Sequence, residues 1–195
     1  MNSELELFIR VFLAFIFISS AVSKYNNFDK HIGIISDYKI LPSSFSRIAG
    51  RFDFTAELCV GILLLIGFLK PLAVSISVLL LLIYIVAVSI NLLRGRKEIS
   101  CGCGGILGNH QLSWKLVARN IFLVLTIISI LLIKDSLFSF DTLIQTDSAI
   151  HTFGYKAWQY LFISTSLIII LLLAKETFHI NKHFNKIISS LKNND

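Results

Sequence analysis

Charged residues are scarce in this chain: they make up 15% of its 195 residues, against about a quarter in a typical soluble domain. Proline is also scarce, with two residues, and glycine contributes ten, which excludes a collagen-like fibre and a proline-rich disordered chain. Hydrophobic residues make up 55% of the chain, and the mean hydropathy is +0.76. This composition excludes an ordinary soluble enzyme and indicates a membrane protein.

Five apolar segments are each long enough to cross a bilayer, which takes about 20 residues of helix. They are residues 5–24, 52–69, 71–93, 114–133 and 156–174. The sequence therefore predicts an all-α, polytopic helix bundle in the cell membrane, with a four-helix core and a fifth, C-terminal transmembrane helix. We expect one transmembrane domain over residues 1–174 and a basic amphipathic tail over residues 175–195. Residues 28–39 have the spacing of a short helix on the membrane surface.

Basic residues outnumber acidic ones by 18 to 12. No basic cluster alternates with aromatic residues, so we expect the bilayer, and no nucleic acid, as a partner. With five spans, thirteen basic residues lie on one side of the membrane and three on the other. Because basic loops stay in the cytoplasm, this count predicts that residues 24–51, residues 94–113 and the C-terminus are cytoplasmic.

Ionisable residues inside the spans are few, and such residues are costly in a bilayer and usually functional. Asp53, Glu57 and Gly61 are spaced four residues apart in the second span, so they share one face of a helix. Several other polar residues lie within about two helical turns of the same interface. The residues expected to converge there are Glu57, Asn91, Arg119 and Asn120. The sequence thus predicts a polar, cofactor-binding pocket at this interface.

Each of these residues also has a structural interpretation. Glu57 and Arg119 are able to form an ion pair that ties two helices together, and asparagines form hydrogen bonds between helices. Lys24 and Asp53 lie near enough to the membrane surface for their charges to reach water. The sequence leaves both interpretations open.

The loop before the fourth span contains the sharpest chemical signal, Cys101-Gly102-Cys103. Two thiols separated by one glycine are able to close a small, strained disulfide, and strained disulfides are the reactive ones. Basic residues in the same loop would stabilise a thiolate and lower the pKa of its thiol. We therefore interpret Cys101 and Cys103 as a catalytic redox pair.

Two other interpretations of this loop remain. A metal site would use Cys101, Cys103 and His110, but a closed zinc site needs four ligands and a second cysteine pair is absent, so no metal is expected. The other interpretation is a flexible glycine loop with incidental cysteines. Cys59 lies apart in the second span, where a lone cysteine usually serves as a small, buried apolar residue.

Several motifs, taken in order, carry a resemblance to a known family. They are Leu41-Pro42, Glu57 with Gly61 and Gly67, Arg94-Gly95, Cys101-Gly102-Cys103-Gly104-Gly105, and Leu112-Ser113-Trp114 through Arg119-Asn120. Over about residues 5–133 the chain resembles the MauE family of methylamine-utilisation accessory proteins and its DoxX-like relatives. It has Gly104 where family members often have phenylalanine.

The resemblance implies a membrane-embedded thiol–disulfide oxidoreductase that exchanges electrons between the Cys101/Cys103 pair and a protein dithiol or a quinone. It implies a thioredoxin-like protein or an exported dithiol protein as the partner, and it assigns Glu57, Arg119 and Asn120 to the pocket. An exported partner would place the cysteines outside the cytoplasm, against the charge count. The alternative function is a non-enzymatic membrane chaperone of a thioredoxin-like protein.

Overall fold

The structure, a computed structural model, describes residues 3–104, 110–133, 137–141 and 154–192. The helices are α1 (Ser3–Asn26), α2 (Phe28–Asp37), α3 (Ser43–Ile66), α4 (Lys70–Leu93), α5 (Trp114–Ser129) and α6 (Tyr155–Lys192), with a 3₁₀ turn at Ile130–Leu132 directly after α5. The predicted all-α class is confirmed.

Three stretches of the described chain are long and apolar enough to span a bilayer, namely Ser3–Asn26, Lys70–Leu93 and Trp114–Leu132. They match three of the five predicted spans and confirm a multi-pass membrane protein. The predicted spans at residues 52–69 and 156–174 lie within α3 and α6. The count of five spans stays a prediction.

Helix α1 lies at the centre of the bundle and packs mainly against α3 and α6, whereas α4 packs against α3 and α5. The core that α1 shares with α3 contains Leu13, Phe17, Val60 and Leu64. The opposite faces of α4 and α5 expose large apolar side chains, among them Leu79, Ile83, Phe122 and Leu125. Apolar faces of this extent are suited to contact with lipid.

Prolines and a glycine set the ends of the helices around α3. The residue before a proline disfavours helical backbone, so the chain breaks at Pro42, and α3 begins at Ser43, earlier than the predicted start at residue 52. The helix ends at Gly67, whose φ of 68° is left-handed. Pro71 then lies in the first turn of α4, where its missing N–H costs nothing. This produces a tight α3–α4 hairpin.

Arg10 organises the end of the bundle that lies away from the cysteines. Its guanidinium is fully buried and donates to the carbonyl oxygens of Leu137 at 2.9 Å and Phe138 at 2.5 Å. A second guanidinium nitrogen lies 3.5 Å from the Glu6 carboxylate. The Asp141 carboxylate accepts backbone N–H bonds at the start of α4. These contacts fix the described part of the loop after α5 against α1 and α4.

Helix α6 runs without a break from Tyr155 to Lys192. No helix end therefore separates the predicted span at residues 156–174 from the predicted tail at residues 175–195. The first half of α6 packs against α1, with Ile168 buried in the same cluster as Leu7 and Val11. The tail side chains beyond Thr177 lie outside the described residues.

The close approach of α1 and α3 at Gly61 generates a stability prediction. A Cβ atom at Gly61 would lie 2.6 Å from Ile18 Cγ1 and 3.3 Å from the Ala14 carbonyl oxygen, whereas one at Gly33 would meet nothing within 4 Å. We expect Gly61→Val to destabilise the fold by about 1–3 kcal/mol through overpacking, and the control Gly33→Val to change stability little. Thermal unfolding in detergent measures both, and equal effects would contradict the packing.

Candidate functional site

A short antiparallel bridge shapes the loop that carries the cysteines. Ser100 pairs with Gln111, and the backbone N–H of Cys101 donates to the His110 carbonyl oxygen at 2.8 Å. The two ends of the loop are therefore joined directly before Cys101. As a result the Cys-Gly-Cys segment lies against α1 and α2.

Two glycines allow this segment to approach the helices closely. Gly102 has a φ of 67° and Gly104 a φ of 56°, in the left-handed region that other residues disfavour. A Cβ atom would lie 3.1 Å from Ile34 Cγ2 at position 102 and 2.5 Å from Ser23 Oγ at position 104. Gly104 thus permits the direct contact between the loop and α1.

Side chains from α1 and α2 hold the backbone of both cysteines. The Ser20 hydroxyl donates to the Cys103 carbonyl oxygen at 2.6 Å, and the Tyr38 hydroxyl, just after α2, donates to the Cys101 carbonyl oxygen at 3.2 Å. Burial raises the pKa of Tyr38, so its hydroxyl stays protonated as a donor. Cys101 is buried, Cys103 is half-buried, and both are free thiols.

The two thiols differ in acidity. A hydrogen bond from the Cys103 side chain lowers the pKa of Cys101 to about 5, and the backbone N–H groups of His110 and Cys103 and the charge of Arg119 act in the same direction, against burial. The same thiol–thiol hydrogen bond and burial raise the pKa of Cys103 well above its ordinary value. At neutral pH the pair therefore holds a thiolate on Cys101 and a thiol on Cys103. The thiolate is the nucleophile.

Arg119 contacts the second cysteine directly. Its Nη2 lies 3.5 Å from Cys103 Sγ, so the guanidinium of α5 is placed to stabilise negative charge on that sulfur. The ion pair considered between Glu57 and Arg119 is not formed, because Glu57 pairs with Lys24. Arg119 thus contacts the cysteine pair and not the Lys24 cluster.

A buried ionic cluster joins α1, α3 and α4 beside the cysteines. Lys24 Nζ lies 2.7 Å from Asp53 Oδ2 and 2.8 Å from Glu57 Oε1, and it donates to Tyr84 Oη at 3.1 Å. Tyr84 Oη lies 2.7 Å from Glu57 Oε1 and also contacts the Asp53 carboxylate. The side chain of Lys24 is 4% exposed. Lys24 is therefore a buried ion-pair partner of two carboxylates, and its charge is not directed to water.

His31 extends this cluster into α2. Its Nε2 lies 3.0 Å from Asp53 Oδ2, and it is the buried residue of that helix. Sequence reasoning missed His31 and Tyr38 because the predicted surface helix at residues 28–39 gave no reason to fold back onto the bundle. It missed Ser20 of α1 because the contact of Ser20 with the cysteine loop depends on tertiary packing. The available signal was a histidine on the apolar side of a short amphipathic helix.

A cavity of about 270 Å³ lies between α2, α3, α4 and the cysteine loop. Its walls are mostly apolar, including Leu80, Ile83 and Phe52, and Ile83 and Phe52 are also exposed on the outer surface of the bundle. Its polar lining consists of Lys24, His31, Tyr38, Asp53, Tyr84, Cys101 and Cys103. The cavity therefore joins the lipid-facing surface to both thiols.

A second cavity, of about 20 Å³, lies deeper in the bundle. It is lined by Cys103, Glu57, Tyr84, Ser20 and Asn120 together with apolar side chains. Two of the predicted pocket residues, Glu57 and Asn120, thus lie beside Cys103, but in this small cavity and not in the large one.

The remaining sequence predictions have mixed outcomes. Asn91 is fully buried, but its amide donates to the Ala87 carbonyl oxygen of its own helix at 3.0 Å, and it lines neither of these cavities. Cys59, expected to be buried, is exposed, because it lies two residues from inward-facing Glu57. Within the described ranges, no three His, Cys, Asp or Glu side chains are grouped as a metal site requires.

Comparison with known proteins identifies the family. The model of the family described as methylamine utilisation protein MauE matches residues 2–133, which is more than half of the chain and includes both cysteines. The chain belongs to the MauE family. No solved structure matches it.

Curated MauE proteins are similar to this chain over the same region. The methylamine utilization protein MauE of Paracoccus denitrificans is 34% identical over 115 residues, which cover 59% of this chain and 62% of the relative. That of Paracoccus versutus is 35% identical over 112 residues, 57% of this chain and 60% of the relative. The chain spans about six-tenths of the length of these relatives.

The acidity of Cys101 in this MauE chain depends first on the Cys103 side chain. In a Cys59→Ala background, we expect Cys103→Ala to raise the pKa of Cys101 from about 5 toward its ordinary value, because the hydrogen-bond donor is lost. Cys103→Ser keeps a donor and should raise this pKa less. The pH dependence of iodoacetamide alkylation of Cys101 measures both. Identical midpoints in the two variants would show that this hydrogen bond does not set the acidity.

Proposed function

We propose that this chain is a membrane-embedded thiol–disulfide oxidoreductase in which Cys101 and Cys103 exchange electrons with a partner protein. The observation that carries the proposal is the asymmetric thiol pair: an acidic Cys101 beside a protonated Cys103, with Arg119 3.5 Å from the second sulfur. A nucleophilic thiolate with a neighbouring resolving thiol is what thiol–disulfide exchange requires.

In the proposed reaction the Cys101 thiolate attacks one sulfur of a partner disulfide, and the other partner sulfur leaves as a thiolate. Cys103 then loses its proton and attacks Cys101 Sγ, so that the Cys101–Cys103 disulfide forms and the second partner sulfur leaves. The pair loses two electrons and the partner gains two. The reverse sequence oxidises a partner dithiol, so the same geometry supports disulfide formation.

The family membership supports a role that involves a partner. The family and the relatives are named for methylamine utilisation. We propose that this chain has an accessory role, the maturation of a partner protein through its cysteines. A thioredoxin-like protein or an exported dithiol protein is the kind of partner that such an exchange serves.

The large cavity fits a quinone as the second redox partner of the pair. It offers apolar walls at Leu80 and Ile83 and, deeper in, a polar end lined by Lys24 and Tyr84. A bound quinone supplies a two-electron, two-proton acceptor. The exposed side chains of Phe52 and Ile83 at the cavity support entry of a lipid-soluble molecule from the bilayer.

The alternative function is a non-enzymatic membrane chaperone that binds and stabilises a thioredoxin-like protein. The hydrogen bonds to the carbonyl oxygens of Cys101 and Cys103 would then keep the cysteine loop in the shape of a surface on which the partner docks. Such a protein would show no turnover.

Single cysteine variants test the proposal. We expect Cys103→Ser to abolish turnover and to accumulate a mixed disulfide between Cys101 and a thioredoxin-like partner, because the resolving thiol is missing. Cys101→Ser should also abolish turnover, because the attacking thiolate is missing. Cys59→Ala is the matched control and should be silent, since Cys59 lies on the outer surface. Mixed disulfides are measured on non-reducing gels, and full activity in both single variants would contradict the proposal.

Filling the large cavity tests the quinone assignment separately. We expect the purified protein to reduce decylubiquinone with dithiothreitol as donor, and Leu80→Trp to lower this activity at least about tenfold by taking ligand volume. Leu79→Trp, on the exposed neighbouring position, should leave it unchanged. Exchange with the thioredoxin-like partner should survive in both variants. Equal quinone reduction in both would remove the cavity from the proposal.

A further inference from the structure

Two buried polar atoms beside Cys103 have no hydrogen-bond partner among the described residues. They are Glu57 Oε2 and Asn120 Nδ2, an acceptor and a donor, and both residues line the small cavity that Cys103 also lines. Its volume of about 20 Å³ exceeds the roughly 10–15 Å³ that one water molecule needs. The cavity thus has the volume and the polar groups to hold one water between Cys103 and Glu57.

A continuous series of contacts leads from Glu57 to α2. Glu57 Oε1 lies 2.7 Å from Tyr84 Oη, Tyr84 Oη contacts the Asp53 carboxylate, and Asp53 Oδ2 lies 3.0 Å from His31 Nε2. Every adjoining pair in the series is within hydrogen-bond distance. Series of this kind allow protons to move between sites by small steps.

His31 forms the outer end of this series. Besides the large cavity, it lines a polar cleft of about 80 Å³ with Ser23, Asn27 and Lys30, and Asn27 and Lys30 are exposed. Neither ring nitrogen has a well-aligned hydrogen bond among the residues that the structure describes, although Nε2 lies 3.0 Å from Asp53 Oδ2. An imidazole has two nitrogens that each hold or accept a proton, so His31 is placed to pass a proton between Asp53 and the cleft.

The charge balance of the cluster allows it to hold an added proton. The titratable and polar groups that face Glu57 are Lys24 from α1, Asp53 from α3, Tyr84 from α4 and Asn120 from α5. One ammonium group faces two carboxylates, so Lys24, Asp53 and Glu57 together carry one negative charge in excess. An added proton cancels this excess.

We propose that Glu57, acting through one water molecule in the small cavity, takes up the proton of the Cys103 thiol, and that Tyr84, Asp53 and His31 pass it to the polar cleft. This inference rests on the proposed function, because it assigns the proton of the second step in the exchange. Glu57 is a positioning residue here, since it acts on the thiol through water.

The step is balanced as follows. The S–H bond of Cys103 breaks and its proton goes to the water, which gives a proton to Glu57. Cys103 Sγ then bonds to Cys101 Sγ, the bond between Cys101 Sγ and the external sulfur breaks, and that sulfur leaves as a thiolate. Burial still raises the pKa of the Cys103 thiol when Cys101 is in the mixed disulfide, so this second step needs a base, whereas the first step needs none.

The two steps are separable with a small disulfide, dithiobisnitrobenzoate, which releases one coloured thiolate in each step. In the full-length Cys59→Ala protein, reduced and in detergent, the first release reports attack by Cys101 and the second reports closure by Cys103. We expect Glu57→Gln to slow the second release at least about tenfold, as loss of a general base does, and to leave the first unchanged. The second rate in this variant should rise with pH, because hydroxide replaces the base.

Glu98→Gln is the matched control, because Glu98 is an exposed carboxylate near the cysteine loop and outside the series of contacts. It should leave both releases unchanged. Glu57→Asp should restore part of the second rate. A normal second release in Glu57→Gln, or equal slowing of both releases, would overturn the proposal.

Two further variants keep the proposal testable if Glu57→Gln does not fold. Asn120→Leu removes the polar wall and the water from the small cavity without touching the ionic cluster, and should slow the second release alone. His31→Gln should also slow it, with recovery on addition of imidazole buffer. Normal second releases in both variants would overturn the proposal.

The outcome also separates this inference from the proposed function. If Cys101 reacts and Cys103 closes the disulfide at the same rate in every variant, the exchange function stands and the proton path fails. If Cys101 reacts but no Cys101–Cys103 disulfide forms in the Cys59→Ala protein itself, the exchange function fails.

Discussion

A lysine buried against two carboxylates is the interaction on which the site depends. Lys24 pairs with Asp53 and Glu57 and so ties the end of α1 to α3, while Tyr84 adds α4. Breaking a buried pair by removing one partner typically costs about 3–5 kcal/mol, so each member depends on the others. Because the cysteine loop lies against α1 and α2, the positions of both thiols depend on this cluster.

The loop and the helices contribute different parts of the chemistry. The loop supplies two thiols of unequal acidity, and in the proposed exchange the more acidic Cys101 acts first. The helices supply Arg119, which is placed to stabilise a negative charge on the Cys103 sulfur. They also form most of an apolar cavity of about 270 Å³ that is lined by both cysteines. A site with a nucleophile on one side and a lipid-accessible cavity on the other is suited to connect a protein partner with the membrane.

The helices and the closeness of the two cysteines were predictable from the sequence, because hydropathy marks long apolar segments and Cys-Gly-Cys is a local motif. The side-chain pairs between helices were not predictable. An ion pair between Glu57 and Arg119 was one of two interpretations, yet Glu57 pairs with Lys24. The return of α2 onto the bundle, which places His31 at Asp53, depends on tertiary contacts that no periodicity encodes. Asn91 bonds within its own helix, as polar residues in membrane helices often do.

The central claim is that Cys101 and Cys103 form one two-electron redox couple, and a redox titration tests it most directly. The full-length protein is equilibrated in glutathione buffers of graded potential, its free thiols are alkylated, and each species is identified by mass. The account predicts one transition in which both thiols disappear together into a Cys101–Cys103 disulfide. Two cysteines that remain thiols throughout, or that bind glutathione independently of each other, would contradict it.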